Sequence, residues 1–264
     1  MGAVSTTASV IALSTPRAAE AVAAYTELLG PGIPDGRAHY WHTGSTMLVV
    51  TEGDPDARVL VPAAELVRGA AAEEAVTLLK RRAIPTAPAE PIGGAAVHTA
   101  ADLPIGVIDT AALDTAALDT AALDPGAGGP ATESAPGPSE VTRLDHIVMS
   151  APSRDGALAL FGAGLGFDFR LEQRFTPARG GEAVHQLFLR GAGSVVEILV
   201  SPQAPRIDLW GLAWTSADPD ATHARLTDRG ADLSEIRRGH KPGTRVFTIR
   251  GDDLVLPTIV IGHD

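Results

Sequence analysis

The C-terminal half of the sequence carries one order of elements twice, and this repetition constrains the fold more than any other feature. The first copy opens with the apolar strand 144–150 and a helix that begins at Ser153 and ends at the glycines of 162–166. The second opens with strand 209–216 and a helix marked by Asp218-Pro219, a capping residue followed by a proline suited to the first helical turn. Three strand-like runs follow each helix, at 167–174, 183–190 and 194–201, and near 232–237, 245–250 and 254–261. Two consecutive βαβββ units predict an α+β domain with mixed sheets.

The N-terminal half repeats this order more faintly. A strand at 9–14 precedes a helix whose apolar face includes Val22, Tyr25 and Leu28, and Gly30 ends that helix. Strand-like runs at 38–42 and 46–51 follow. A second unit is indicated by runs at 58–62, 95–100 and 104–108 around a helix at 73–82. We therefore expect a second domain of the same α+β type.

A segment rich in Ala, Pro, Gly and Asp separates the two halves. It contains the pentapeptide Thr-Ala-Ala-Leu-Asp three times in succession over residues 110–124. Three copies are too few to stack into a coil that buries its own face, so a flexible or transiently helical linker is the better interpretation. The sequence thus predicts domains at 1–108 and 141–264 joined by a linker at 109–140.

Composition excludes several classes of function. The chain has 264 residues, and 21 Lys and Arg stand against 32 Asp and Glu, which gives a net charge of −11. Nucleic acids and anionic membranes require a basic face, so neither is expected as a partner. The chain has no cysteine, which excludes disulfides and thiolate sites. No run approaches the roughly 18 apolar residues of a membrane span, and no basic segment precedes the first apolar run. We expect a cytoplasmic protein whose partner is a small molecule.

Two predicted strands each carry one polar group that a buried strand normally excludes. His146 lies in the run 144–150 and Glu197 in the run 195–200. A buried carboxylate costs several kcal/mol unless it is compensated. A metal ion shared with the imidazole is one compensation, and a hydrogen-bonded pair is another. Strand alternation puts His146 on one face with Val148 and Ser150, and Glu197 on one face with Val195 and Leu199.

The same segments resemble the vicinal oxygen chelate superfamily, which includes glyoxalase I, bleomycin-resistance proteins, methylmalonyl-CoA epimerase and extradiol dioxygenases. The resemblance rests on Leu144-Asp145-His146-Ile147-Val148, on the helix leading into Gly164-Leu165-Gly166-Phe167, and on Val196-Glu197-Ile198. It covers the third quarter of the chain well and the fourth moderately, whereas the first half matches only in its order of elements. It implies that each pair of βαβββ units forms a cup-like half-barrel of curved sheet.

The resemblance also implies a divalent metal (Zn, Ni, Fe or Mn) held inside the C-terminal cup. Ligands of this family lie on the first and last strands of each unit, and these positions match His146 and Glu197 here. The fourth unit departs from the pattern, because its corresponding positions fall on Gly211 and on Pro257 or Thr258. A third ligand would then come from His185 or His240, or a homodimer would supply the pair twice.

In the N-terminal half the matching positions are Val10 and Leu48, which are both apolar. The resemblance therefore implies no metal there.

Two functions of different class follow. The first is a glyoxalase-like, metal-dependent lyase, isomerase or dioxygenase that acts on a small oxygen-rich molecule, with Glu197 also able to move a proton as the catalytic group. The second is a metal-free protein that binds or sequesters a small molecule, as bleomycin-resistance proteins do. His185, Arg174 and Trp214 are candidate substrate contacts. Trp214 is expected to share a strand face with Trp210 and Leu212, either as an aromatic wall of the cavity or as part of the core.

Overall fold

A computed structural model describes residues 9–69, 71–113, 139–176 and 183–263. Most of the predicted linker at 109–140, including most of its pentapeptide repeat, lies outside these residues. Its first residues form a short 3₁₀ turn at Thr110–Ala112, in which the Asp109 carboxylate accepts a hydrogen bond from the Ala111 amide at 3.2 Å. The boundaries of the two domains stay a prediction.

The N-terminal half consists of two βαβββ units that share one eight-stranded sheet. Its strand order is β2-β3-β4-β1-β5-β8-β7-β6. The first strands of the two units, β1 and β5, are antiparallel neighbours at the centre, and each pairs in parallel with the last strand of its own unit. The elements are β1 Ser9–Thr15, α1 Ala18–Leu29, β2 Ile33–Asp35, β3 Ala38–Thr43, β4 Thr46–Glu52, β5 Asp56–Pro62, α2 Ala63–Leu66, α3 Ala72–Arg81, β6 Ala87–Ile92, β7 Ala95–Thr99 and β8 Ile105–Ile108.

The C-terminal half repeats this topology in a second sheet, with strand order β10-β11-β12-β9-β13-β16-β15-β14. The predicted strand at 232–237 is shorter than expected, because only Arg237–Arg238 pair as a strand and Leu233 forms a single bridge to Ile249. The elements are β9 Val141–Ala151, α4 Arg154–Ala157 continued by a π-helix at Leu158–Gly164, β10 Asp168–Phe175, β11 Val184–Gly191, β12 Ser194–Val200, β13 Asp208–Ser216, α5 Pro219–Asp228, β14 Arg237–Arg238, β15 Thr244–Ile249 and β16 Thr258–His263.

Local sequence explains where the C-terminal helices begin and end. The side chains of Ser153 and Asp218 accept hydrogen bonds from the amides of Gly156 and Ala221, so Asp218 is the predicted N-cap, and Ser153 caps the helix that was predicted to begin there. The α5 helix ends before Gly230, whose positive φ of 84° suits a residue without a side chain. The α+β prediction and the tandem βαβββ units are confirmed.

Each curled sheet has one face toward the helices and one concave face. The helix-side faces of both sheets contribute to a single apolar cluster, which includes Ile11 and Val61 from the first half and Ile147 and Phe247 from the second. The concave faces are the two cups. Among the described residues, no helix is long and apolar enough to cross a membrane.

Candidate functional site in the C-terminal cup

Strand pairing brings His146 and Glu197 together on the concave face. Parallel pairing of β12 with β9 sets Glu197 beside Val148, two residues from His146 and on the same face. Their side chains meet, with His146 Nε2 3.1 Å from Glu197 Oε2, and each side chain is 13 % exposed. The predicted juxtaposition of the two groups is thus present in the fold.

A β-bulge adds a second carboxylate to this pair. In the antiparallel pairing of β9 with β13, Leu144 lies opposite Trp214 and His146 lies opposite Ala213, so Asp145 is an extra residue without a partner. A bulge breaks strict alternation and re-aims a side chain. Alternation alone would place Asp145 on the helix side, yet its carboxylate contacts His146.

Each oxygen of the Asp145 carboxylate has its own hydrogen-bond partner. Asp145 Oδ2 lies 2.8 Å from His146 Nδ1, and Asp145 Oδ1 accepts a hydrogen bond from the Thr215 hydroxyl at 3.1 Å. Arg143 lies at 3.9 Å from the same carboxylate. The imidazole is therefore flanked by carboxylates at both ring nitrogens.

Two glutamines extend this arrangement into a continuous hydrogen-bonded row. Gln186 Nε2 donates to Glu197 Oε1 at 2.5 Å, and Gln173 Nε2 donates to Gln186 Oε1 at 2.7 Å. Neither glutamine was predicted as a site residue, although each lies at the alternate position of its strand that faces the cup. The row crosses five neighbouring strands in the order Gln173 (β10), Gln186 (β11), Glu197 (β12), His146 and Asp145 (β9), and Thr215 (β13).

The row sets the protonation of its central ring. Burial lowers the pKa of His146, but hydrogen bonds and charge interactions with Asp145 and Glu197 outweigh burial and raise that pKa to about 9. The hydrogen bond from His146 holds the pKa of the Asp145 carboxyl below its ordinary value despite partial burial. At neutral pH the ring is an imidazolium that donates from both nitrogens.

The fourth unit supplies no further ligand. Leu212 pairs with both Ile147 and Thr258. With this register, Gly211 is the position of the fourth unit equivalent to His146, and Ile259 is the position equivalent to Glu197. The last-strand ligand position, which was expected at Pro257 or Thr258, therefore falls one or two residues later, at Ile259. A Cβ atom at Gly211 would lie 2.8 Å from the carbonyl oxygen of Pro257, so the close approach of the backbone excludes any larger residue there.

The N-terminal half likewise has apolar residues at the matching positions. Val10 belongs to the small apolar cluster inside its cup, as expected. Leu48, by contrast, lies on the helix side in the large core, and Val49, the next residue of β4, faces the cup. The register of β4 was therefore predicted one residue early.

His185 and Arg174 lie on the other face of the C-terminal sheet. Arg174 on β10 pairs with His185 on β11. Each is adjacent in sequence to a glutamine, Gln173 or Gln186, whose side chain faces the cup, so both side chains point away from it. His185 Nε2 lies 2.8 Å from Glu172 Oε1, and Glu172 also pairs with Arg154 at the start of α4. His185 is held in this helix-side cluster, and the exposed Arg174 lies on the same face, so neither residue is brought to the His146–Glu197 pair.

His240 reaches the rim of the cup without approaching the pair. Its ring stacks on Phe175 with 4.7 Å between ring centroids and 22° between planes. Phe175 belongs to the edge strand β10, whereas His240 follows β14 at the opposite edge of the sheet. The stack therefore joins the two edges of the curled sheet.

The tryptophans of β13 do not share a face. Trp214 and Leu212 are buried in the helix-side core, with Trp214 0 % exposed, while Trp210 is 49 % exposed. A second bulge explains the difference, because Leu209 pairs with Met149 and Gly211 with Val148, which leaves Trp210 as an extra residue. Trp214 is therefore a core residue, and Trp210 is the exposed indole of β13.

The donor set does not by itself fit a chelated metal. Asp145 and Glu197 contact opposite nitrogens of His146, so the ring separates them and only His146 Nε2 and Glu197 converge on one point. Within the described ranges, no group of three or more His, Asp or Glu side chains is arranged to hold a metal ion. Catalytic metal sites usually have three protein ligands and an open position.

Comparison with solved structures places this fold among known ones. No family model and no curated protein matches the sequence. A mutant of 4-hydroxymandelate synthase from Streptomyces coelicolor superposes on 98 % of this chain and 93 % of its own, with a TM-score of 0.66 and 13 % identity. The protein has the vicinal oxygen chelate fold. The predicted resemblance is confirmed at this level.

Shorter solved structures match about half of the chain. Methylmalonyl-CoA epimerase from Mycobacterium tuberculosis is 20 % identical and covers 48 % of this chain and 91 % of its own, with a TM-score of 0.40. A protein from Bacillus halodurans is 16 % identical over 46 % of this chain and 94 % of its own, with a TM-score of 0.39.

Proposed function

We propose that this protein binds a small organic molecule in the C-terminal cup, without a chelated metal ion. The closed hydrogen-bonded row carries the proposal. Both ring nitrogens of His146 contact carboxylates, and both oxygens of Glu197 have partners in His146 and Gln186. The buried charges thus compensate one another, and the remaining family positions, Gly211 and Ile259, have no side-chain donor.

Apolar and polar groups around the row indicate what the ligand would present. Leu171 and Trp210 are each 49 % exposed, and Leu171 pairs with Phe188 on the face that carries Glu197. Exposed apolar side chains on a concave surface favour a ligand with an apolar face. The amides of Gln173 and Gln186 each retain a second N–H that can donate to a ligand oxygen. A small oxygen-bearing molecule with an apolar face fits both features.

A metal assay tests the proposal. We expect protein purified without added metal or chelator to contain well below one equivalent of Zn, Ni, Fe or Mn by mass spectrometry. Its melting temperature should not change when each divalent ion is added. The variants His146→Ala and His240→Gln, which remove a central and a rim imidazole, serve as the matched pair. Stoichiometric metal that is lost in His146→Ala and kept in His240→Gln would overturn the proposal.

A second candidate is a metal-dependent lyase, isomerase or dioxygenase, and the Asp145–His146 contact favours it. A carboxylate on one nitrogen of an imidazole is the arrangement that orients histidines toward a metal through the other nitrogen. His146 and Glu197 would hold the cation, and further donors would come from the ligand or from a second copy of the chain. This candidate predicts the stoichiometric metal that the first excludes.

A further inference from the structure

The N-terminal cup, to which the family pattern assigns no metal ligand, contains a cavity of about 550 Å³. This volume lies within the range of small-molecule sites, roughly 300–1,000 Å³. The cavity opens on the concave face of the first sheet, whereas the His146–Glu197 pair lies on the second sheet. It is therefore a separate place in the fold.

The cavity borders an apolar cluster. This cluster includes Val10, Met47 and Leu113, and it shares Val49, Leu60 and Val97 with the lining of the cavity. The Gly93 amide donates a hydrogen bond to the Tyr40 hydroxyl at 3.2 Å and so ties strand β3 to the turn between β6 and β7 on the far side of the cup. The apolar part of the lining consists mainly of Ala12, Val49, Leu60, Ala89, Ile92 and Val97.

One buried polar group in this lining is left with an unused donor. Tyr40 is 3 % exposed, and its oxygen accepts the bond from Gly93. Within the part of the chain that the structure describes, the hydroxyl proton has no acceptor. Buried hydroxyl groups normally use their donor. An acceptor on a ligand in the cavity would supply the missing partner.

The mouth of the cavity is acidic. Arg58 is neutralised by Asp56 at 2.5 Å and is held by the carbonyls of Ala100 and Leu103. The other charged groups of the lining are the carboxylates of Asp35, Glu52 and Glu90 and the guanidinium of Arg37. None of these three carboxylates has an ion-pair partner among the described residues. The mouth therefore has a negative excess over an apolar interior.

We propose that the N-terminal cup binds a small organic amine. The apolar body of the amine would lie on Ala12 and Val49, and its ammonium group at Glu52 and Glu90. An oxygen acceptor of the ligand would take the proton of the Tyr40 hydroxyl. Apolar burial, charge complementarity and the unused hydroxyl donor each recognise one part of this ligand. The proposal does not depend on the function of the C-terminal cup.

Three matched probes test the charge requirement by isothermal titration calorimetry on the full chain. They are 2-(4-methoxyphenyl)ethylamine, the corresponding alcohol 2-(4-methoxyphenyl)ethanol, and 3-(4-methoxyphenyl)propanoate. We expect one amine per chain, with the amine bound at least tenfold more tightly than the alcohol and the propanoate not bound. Tighter binding of the propanoate, or no binding of the amine at millimolar concentration, would overturn the proposal.

Variants place the bound amine. The double variant E52Q/E90Q should weaken amine binding about tenfold, while E65Q, which removes an exposed carboxylate outside the cavity, should not. Ala89→Trp on the edge strand β6 should abolish binding by filling the cavity, and Tyr40→Phe should weaken it several-fold. Circular dichroism checks that each variant is folded. Amine binding that survives both E52Q/E90Q and Ala89→Trp, or that is lost in His146→Ala, would show that the amine binds elsewhere.

Discussion

His146 shows how neighbouring side chains decide the charge of a single buried ring. Burial alone would leave the imidazole neutral, yet two carboxylates reach it from neighbouring strand positions and hold its second proton. One of them, Asp145, faces the ring only because the chain bulges there. The charge of the ring is thus a consequence of the backbone as much as of residue type.

This charge predicts a pH dependence of stability. The pKa of His146 is raised from 6.5 to about 9 in the folded chain, so the folded state binds the proton more tightly than the unfolded state. The resulting stabilisation, roughly 3 kcal/mol at most, is fully present below pH 6.5 and is lost as the pH rises through 9. Urea unfolding between pH 6 and 10, with a chelator present, measures it. The slope should disappear in His146→Gln and persist in His240→Gln; equal slopes in the two variants would contradict this account.

The glycine at position 211 predicts a steric effect on stability. A Cβ atom there would meet the Pro257 carbonyl oxygen at 2.8 Å, and neither the Cβ, which is rigidly attached to the backbone, nor the backbone carbonyl can move freely. Gly211→Ala should therefore cost about 1–3 kcal/mol in the free energy of unfolding. Gly162→Ala is the matched control, because a Cβ atom at Gly162 would meet nothing within 4 Å. A cost for Gly162→Ala equal to that for Gly211→Ala would refute the steric explanation.

At the scale of single elements, the helix caps could be predicted from the sequence, whereas the β-bulges could not. The helix starts at Ser153 and Asp218 were predictable because a cap and its helix lie within a few residues of each other. The bulges at Asp145 and Trp210 were not, because each depends on how β9 aligns with β13 some 65 residues away. Other long-range pairings, of β1 with β4 and of β13 with β16, decide which residues of the last strands face the cups, and the assignments at Leu48 and at Pro257 or Thr258 missed them.

The cap of α5 predicts a local contribution to stability. The Asp218 carboxylate accepts a hydrogen bond from the Ala221 amide at 3.0 Å and also lies at the positive end of the helix dipole. Asp218→Ala should lower the free energy of unfolding by about 1 kcal/mol. Asp228→Ala, at the last residue of the same helix, should be neutral or slightly stabilising, because a carboxylate is unfavourable there. Urea titrations of the two variants give the comparison, and an equal loss in both would argue against capping.

At the scale of the whole molecule, the halves predicted as separate domains are joined through one apolar core. The fully buried Tyr25 hydroxyl on α1 donates to the carbonyl of Leu254 at 2.6 Å. Arg225 on α5 bonds the Glu140 carboxylate and the Glu27 carbonyl, which also connects the halves. The sequence predicted the two sheets from their internal patterns, but contacts between distant residues leave no local pattern and were not foreseen.

The shared core predicts that both halves unfold together. Fluorescence of single-tryptophan variants that retain only Trp41 or only Trp214 should report the same urea midpoint, since the two indoles lie in one cluster but in different halves. Tyr25→Phe removes the donor to the Leu254 carbonyl and should lower the free energy of unfolding by about 1–3 kcal/mol. Both urea midpoints should therefore fall together. Two separate midpoints, or a shift in only one of them, would mean that the halves unfold independently.

The bulge at Asp145 also makes the centre of the C-terminal sheet tolerant of a one-residue deletion. The pairing of β9 with β13 already passes over position 145, so a chain that lacks it would still set Leu144 opposite Trp214 and His146 opposite Ala213. Deletion of a residue from a regular strand would instead turn every following side chain to the other face. A single codon loss could therefore remove one carboxylate from the cup and leave the rest of its floor in register.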